Sequence, residues 1–147
     1  MEKLVFSATI NAPRHKVWEV LWGKETYRAW TAAFAEGSDV ETNWEEGGRV
    51  VFGDGKGNGM VSTIAKKIPD EYMSFKHLGE ISGGVEDLTS DKVKAWAGAM
   101  ENYTLKDDDG KTSLLVETDV NEEYKDYFEK AWPVAMDKLK ELSEKGL

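Results

Sequence analysis

The sequence predicts an α+β fold in which one long C-terminal helix lies across a curved antiparallel sheet. Three observations lead there. From Asn121 onward, apolar residues recur at three- and four-residue steps, the spacing of a helix with a single apolar stripe. From Val40 to Val120 the period is two, broken by turn residues at hairpin spacing. Before those strands, one alternating stretch is followed by two short runs of helical period. A chain of 147 residues makes one ordinary domain, spanning 1–147, large enough to bury a core without disulfides or metals.

Residues 3–10 alternate, with Leu4, Phe6, Ala8 and Ile10 on one face and Val5, Ser7 and Thr9 on the other, as a half-buried strand does. Ala12-Pro13 stops it: the residue before proline is pushed toward extended backbone, and proline suits a first helical turn. Residues 13–22 read as a short helix with Val17, Trp18, Val20 and Leu21 on its apolar side, broken by Gly23. Residues 25–34 read as a second, carrying Tyr27, Trp30 and Phe34. Strands are expected over 40–44, 48–52, 60–68, 72–78, 94–105 and 112–120, giving a sheet of about seven strands with the first. The glycine-rich 53–59 segment is a hairpin connection, Pro69-Asp70 a turn, and Asp107 to Gly110 a hairpin with Gly110 in the left-handed position. Residues 79–93 carry no clear period and read as a long loop.

The last helix begins at Asn121, a side chain suited to capping, with Glu122 and Glu123 in the first turn where the helix dipole favours acids. Tyr124, Phe128, Ala131, Trp132, Ala135, Met136, Leu139 and Leu142 form its stripe, and Gly146 ends it. Pro133 interrupts the run, lacking an N–H and crowding the Glu129 carbonyl, at a cost of about 3 kcal/mol, and is expected to bend the helix. A helix laid over a strongly curved sheet encloses space, with the two short helices plugging one end.

Composition excludes several classes of function. There is no cysteine, hence no disulfide framework, thiol nucleophile or thiolate metal site. The net charge of -9, with Lys and Arg scattered among acids, disfavours nucleic acid and anionic membranes. No apolar run approaches the roughly 20 residues needed to span a bilayer, and the N-terminus enters an alternating pattern with no secretory segment, so a cytoplasmic setting is expected. Six tryptophans suit a heavy core or an aromatic-lined pocket; Trp22, Trp44 and Trp96 are candidates for surface aromatics at an interface.

Few reactive groups stand in a catalytic pattern. The 53–59 segment lacks the Gly-Lys-Ser/Thr of a phosphate loop, and as a calcium loop it has Lys56 at a ligand position and Ala65 where a bidentate Glu belongs. His15 and His77 are the only histidines, and no serine sits in a nucleophile-elbow sequence. No catalytic residue, metal ligand or cofactor is assigned. Glu101 is the one polar oddity: counting back by twos from Leu105 and Tyr103 places its carboxylate on the inward face, where an ion needs a partner or a raised pKa.

Ile10-Asn11-Ala12-Pro13 with Val17-Trp18 and Leu21, Gly47-Gly48 before a strand, Ile68-Pro69 with Met73, Phe75 and His77, Glu101-Asn102-Tyr103-Thr104-Leu105, Thr112-Ser113-Leu114, and Trp132-Pro133 with Met136, Leu139 and Leu142 occur in an order that resembles the SRPBCC or START-like superfamily. Within it, the chain is similar to bacterial proteins grouped with the activator of the heat-shock-protein-90 ATPase. The resemblance spans nearly the whole chain and implies the helix-grip fold of birch-pollen-type allergens. It implies no shared catalytic signature.

The leading expectation is a binding domain for a small hydrophobic molecule, held between the C-terminal helix and the sheet. Its cavity is expected to be lined by Trp30, Phe34, Phe52, Met60, Phe75, His77, Met100, Tyr103, Trp132 and Met136, with Glu101 and His77 as the polar anchor. Two alternatives stand beside it: a chaperone-accessory interaction module, which the resemblance implies, and a cyclase- or aromatase-like enzyme using the polar groups for proton transfer. Either a monomer or a homodimer fits the sequence.

Overall fold

A computed structural model describes residues 1–145. In chain order the elements are β1 (Glu2–Ile10), α1 (Arg14–Trp22), α2 (Lys24–Thr31), β2 (Asp39–Glu41), β3 (Arg49–Gly53), β4 (Gly59–Ile68), β5 (Tyr72–Ser82), β6 (Val85–Asp87), α3 (Asp91–Lys94), β7 (Met100–Asp108), β8 (Lys111–Val120) and α4 (Lys125–Glu144). The strands form one antiparallel sheet of eight in the order β1-β8-β7-β5-β4-β3-β2, with β6 paired to β5 off this path. This is the α+β helix-grip arrangement.

Each hairpin pairs with its neighbour in sequence, as short connections dictate. Strand β1, cut off from the others by α1 and α2, returns to pair with β8 along its whole length, from Glu2 opposite Val120 to Ile10 opposite Thr112. The β4–β5 ladder has two register shifts, one between Val61 and Ser62 and one between Ile64 and Lys66. Such irregularities increase local twist, which is how a sheet acquires a hollow.

Residues 79–93 are not a structureless loop. Strand β5 continues to Ser82, Gly83 and Gly84 turn at φ of 58° and 80°, and β6 pairs back from Ser82–Val85 to Glu80–Asp87. The left-handed pair that a tight hairpin needs is supplied by two glycines without a Cβ penalty. Ser90 then caps α3, its side-chain oxygen accepting from the Val93 N–H at 3.2 Å. The strand expected from residue 94 accordingly starts only at Met100, after Gly98 at φ 94° reverses the chain.

The C-terminal helix opens with a 3-10 turn over Glu122–Tyr124, and the Asn121 side chain makes no capping bond. Helix α4 runs unbroken through Pro133, which faces solvent, so the freed Glu129 carbonyl also lies on the exposed side. The stop assigned to Gly146 lies outside the described residues. Ala131, Trp132, Ala135, Met136 and Leu139 are buried, and α4 packs on β1, α1 and α2. No helix among the described residues is long and apolar enough to cross a membrane.

Trp22 is buried rather than at an interface. Its ring meets Tyr103 at 4.9 Å, Phe75 at 5.4 Å and Trp44 at 5.5 Å between centroids. Trp44 is half-buried in the same cluster, which joins α1 to the sheet through edge-on aromatic contacts.

Candidate functional site

The hollow face of the sheet, α2 and the first turns of α4 enclose a cavity of about 660 Å³, within the range usual for small-molecule sites. Its apolar wall is a chain of rings. Trp132, two turns into α4, reaches Phe34 at 5.0 Å, Trp30 at 5.9 Å and Tyr103 at 6.0 Å, while Phe6 backs it at 5.6 Å. Helix α2 holds Trp30 in place: its indole N–H donates to the Leu21 carbonyl at 3.1 Å. The Tyr127 hydroxyl donates to the Phe34 carbonyl, tying the α2–β2 connection to α4 at the rim.

One polar cluster faces this greasy space. Ser62 on β4 and His77 on β5 are cross-strand partners, and Glu101 and Tyr103, two residues apart on β7, share the inward face. Ser62 Oγ lies 2.6 Å from His77 Nδ1, and His77 Nε2 lies 3.2 Å from Glu101 Oε1. The Tyr103 hydroxyl donates to Glu101 Oε2. The His77 backbone is itself pinned, its N–H to Ala99 and its carbonyl to the Gly98 N–H, both at 2.8 Å. Two bulge-adjacent strands and a glycine turn therefore aim these groups at one point.

Burial alone would raise the Glu101 pKa, but the hydrogen bond and attraction from His77 and the Tyr103 donor outweigh it and hold the carboxyl below its usual value. Tyr103 is pushed well above 10, chiefly by burial and then by the Glu101 charge. The cluster is thus an ionised carboxylate that accepts from two donors. Ser62, 1% exposed, sits behind His77 and does not border the cavity, so it is not placed to attack a bound molecule. Among the described residues no group of three His, Asp or Glu side chains could hold a metal ion.

Of the residues expected from sequence, Trp30, Phe34, Phe52, Met60, His77, Glu101, Tyr103 and Trp132 border the cavity. Phe75, Met100 and Met136 do not. Phe75 lies one layer behind, against Phe52 at 5.1 Å. Met100 precedes Glu101 and so projects from the opposite face, alongside exposed Lys76. Met136 packs in the core one turn beyond Trp132. Sequence reasoning missed Tyr27 and Thr31 of α2, Trp96 after α3, Thr118 of β8, and Tyr124, Tyr127 and Phe128. Tyr27 was legible as the residue one turn before Trp30 on the same helical face; Trp96 was hidden by the misread strand start.

The remaining candidates are accounted for locally. His15 is exposed and pairs with Glu19 at 2.9 Å and Asp70 at 3.4 Å. Asp54 accepts from the Lys56 and Asn58 N–H groups at 2.7 and 3.2 Å, so the 53–59 segment is a self-satisfied hairpin.

Comparison with known proteins agrees with this architecture. No curated protein matches the sequence. Among solved structures, the Aha1 dimer from Colwellia psychrerythraea superposes with a TM-score of 0.74 at 17% identity, covering 99% of this chain and 98% of that one. MLL2253 from Mesorhizobium loti gives 0.73 at 16%, covering 99% of each chain. DynU16, from the dynemicin biosynthetic locus, gives 0.69 at 15%, covering 99% of this chain but 48% of its own length. At these identities the likeness establishes the fold. The family described as Activator of Hsp90 ATPase homolog 1-like protein matches residues 11–144, nearly the whole chain. This chain, a helix-grip domain with an aromatic-walled cavity and an inward polar cluster, belongs to that family.

Proposed function

We propose that this protein binds a small, mainly apolar molecule in the cavity between α4 and the sheet. The observation that carries the reading is the combination of about 660 Å³ of space, an aromatic wall and the inward Glu101 carboxylate held by two donors. A few polar groups set in an otherwise apolar wall are the usual means by which a pocket orients a ligand. Burying about 300 Å² of apolar ligand at about 25 cal/mol/Å² gives about 7 kcal/mol. Lost translational and rotational freedom removes a large share, so micromolar affinity is the expectation. Native mass spectrometry of freshly purified protein, with thermal-shift screening against sterols, lipids and aromatic polyketides, tests it. No retained molecule and no stabilisation by any class would refute it.

A second reading follows from the family match: an accessory protein of a heat-shock-protein-90 chaperone. Stimulation of the chaperone's ATP turnover on adding this protein supports it; unchanged turnover and no co-migration remove it. The dimeric Colwellia protein motivates a homodimer as the assembly, which sedimentation measures directly.

A further inference from the structure

The polar end of the cavity has a direction. His77 Nε2–H and the Tyr103 O–H both already point at the Glu101 carboxylate, and neither has a second hydrogen to give. Whichever way the Ser62 to Nδ1 bond runs, Nε2 carries the proton that Glu101 accepts. What the cluster offers to the cavity is therefore the spare lone pairs of an anion.

Among the other hydroxyls that border the same space, those of Tyr27 and Thr118 belong to buried residues. Tyr27 is 7% exposed and Thr118 is 5% exposed, and neither hydroxyl has a hydrogen-bond partner among the described residues. Thr118 is the direct cross-strand partner of Glu101. Burial first, and then the Glu101 charge, raise the Tyr27 phenol far above its ordinary value, so it stays protonated and able to donate.

We infer, on the footing of the binding reading above, that the cavity selects a ligand whose buried polar group is a hydroxyl, donating to Glu101 and accepting from Tyr27 or Thr118. A hydroxyl meets both demands with one atom. A carboxylate brings a second anion and no donor. An ether or ketone accepts from the hydroxyls but offers no donor to the spare lone pairs of Glu101, and an ammonium donates to Glu101 while giving the hydroxyls no acceptor. Sites that leave a buried polar group unpaired discriminate strongly against the ligand responsible.

Three probes with one apolar body separate these cases: 4-phenylphenol, 4-methoxybiphenyl and biphenyl-4-carboxylate, titrated by calorimetry with amide NMR shifts locating the site. The phenol is expected to bind at least about tenfold tighter than the other two. Glu101→Gln reduces its advantage over the ether to about threefold or less, and Tyr27→Phe weakens the phenol by about threefold or more. Equal affinity for all three, or tighter carboxylate binding, overturns hydroxyl selection while leaving cavity binding standing. No shifts at cavity residues with any probe overturns both. The wild-type series decides the matter even if a variant folds poorly.

Discussion

Glu101→Gln is the perturbation that weighs the polar cluster most directly. The carboxylate receives two hydrogen bonds, from His77 and Tyr103, and bonds to an ionised acceptor contribute about 1.5–3 kcal/mol each. Glutamine preserves the shape and one carbonyl acceptor, at a neutral-bond strength of about 1 kcal/mol. Its amide N–H₂ must then face a donor where the second oxygen was. Against this loss, the variant no longer desolvates an ion, and burial is the largest influence acting on Glu101. Because the folded pKa still lies below the ordinary 4.5, the donors outweigh that cost. The net expectation is a destabilisation of about 1–2 kcal/mol near neutral pH, or a Tm lower by about 3–8 °C for a chain this size. The sign with pH is set by the same depression: the stabilisation from Glu101 is fully present above its unfolded pKa and is lost as pH falls through the folded value. Glutamine has nothing to titrate, so the gap between wild type and variant narrows below about pH 4.5. Urea denaturation followed by tryptophan fluorescence at about pH 7 and again at about pH 4 measures it. A gap that persists on acidification, or a variant more stable at neutral pH, would refute the assignment of His77 and Tyr103 as net stabilising donors.

The remaining predictions concern the scaffold. Trp132→Ala, which removes the ring joining Phe6, Trp30, Phe34 and Tyr103, is expected to cost about 3–5 kcal/mol, while Val134→Ala on the exposed face of the same helix costs within about 0.5 kcal/mol; chemical denaturation of both distinguishes the faces. Gly59→Ala places a Cβ 2.0 Å from the Phe52 carbonyl oxygen and 2.9 Å from the Gly53 Cα. Both obstacles are backbone, so the β3–β4 hairpin must shift, with a loss of about 1–3 kcal/mol and the largest amide NMR changes in residues 52–60. Pro133→Ala restores the missing N–H to Glu129 and is expected to stabilise by up to about 3 kcal/mol; a destabilised variant in urea denaturation would refute the reading that proline only costs this helix a bond.

Much of the fold was written in periodicity. The apolar stripe from Phe128 to Leu139 and the alternation of Thr112 to Val120 are local patterns, and each forces its segment to bury one face whatever surrounds it. Where reading failed, local signals were weak or misleading. The 79–93 segment looked structureless because β6 is three residues long and its turn is two glycines. Residues 94–99 read as strand because they run directly into the alternation of 100–105 and are too few to show a period of their own.

The inward placement of Glu101 followed from counting by twos from Leu105, and Trp30, Phe34 and Trp132 followed from helical faces. That Met100 shares Lys76's outer side also follows from that count, since Glu101 is inward. What sequence alone did not determine is which groups meet. The His77 bond to Glu101 joins residues 24 apart, and the Ser62 bond to His77 joins residues 15 apart. Both depend on the register of β4, β5 and β7 and on the shift at Val61–Ser62, and register is a property of paired strands rather than of either strand. The hydrophobic pattern is local in sequence and decides which faces are buried; the convergence of an acid, an imidazole and three hydroxyls on one end of a cavity depends on sheet curvature, which only the assembled chain possesses.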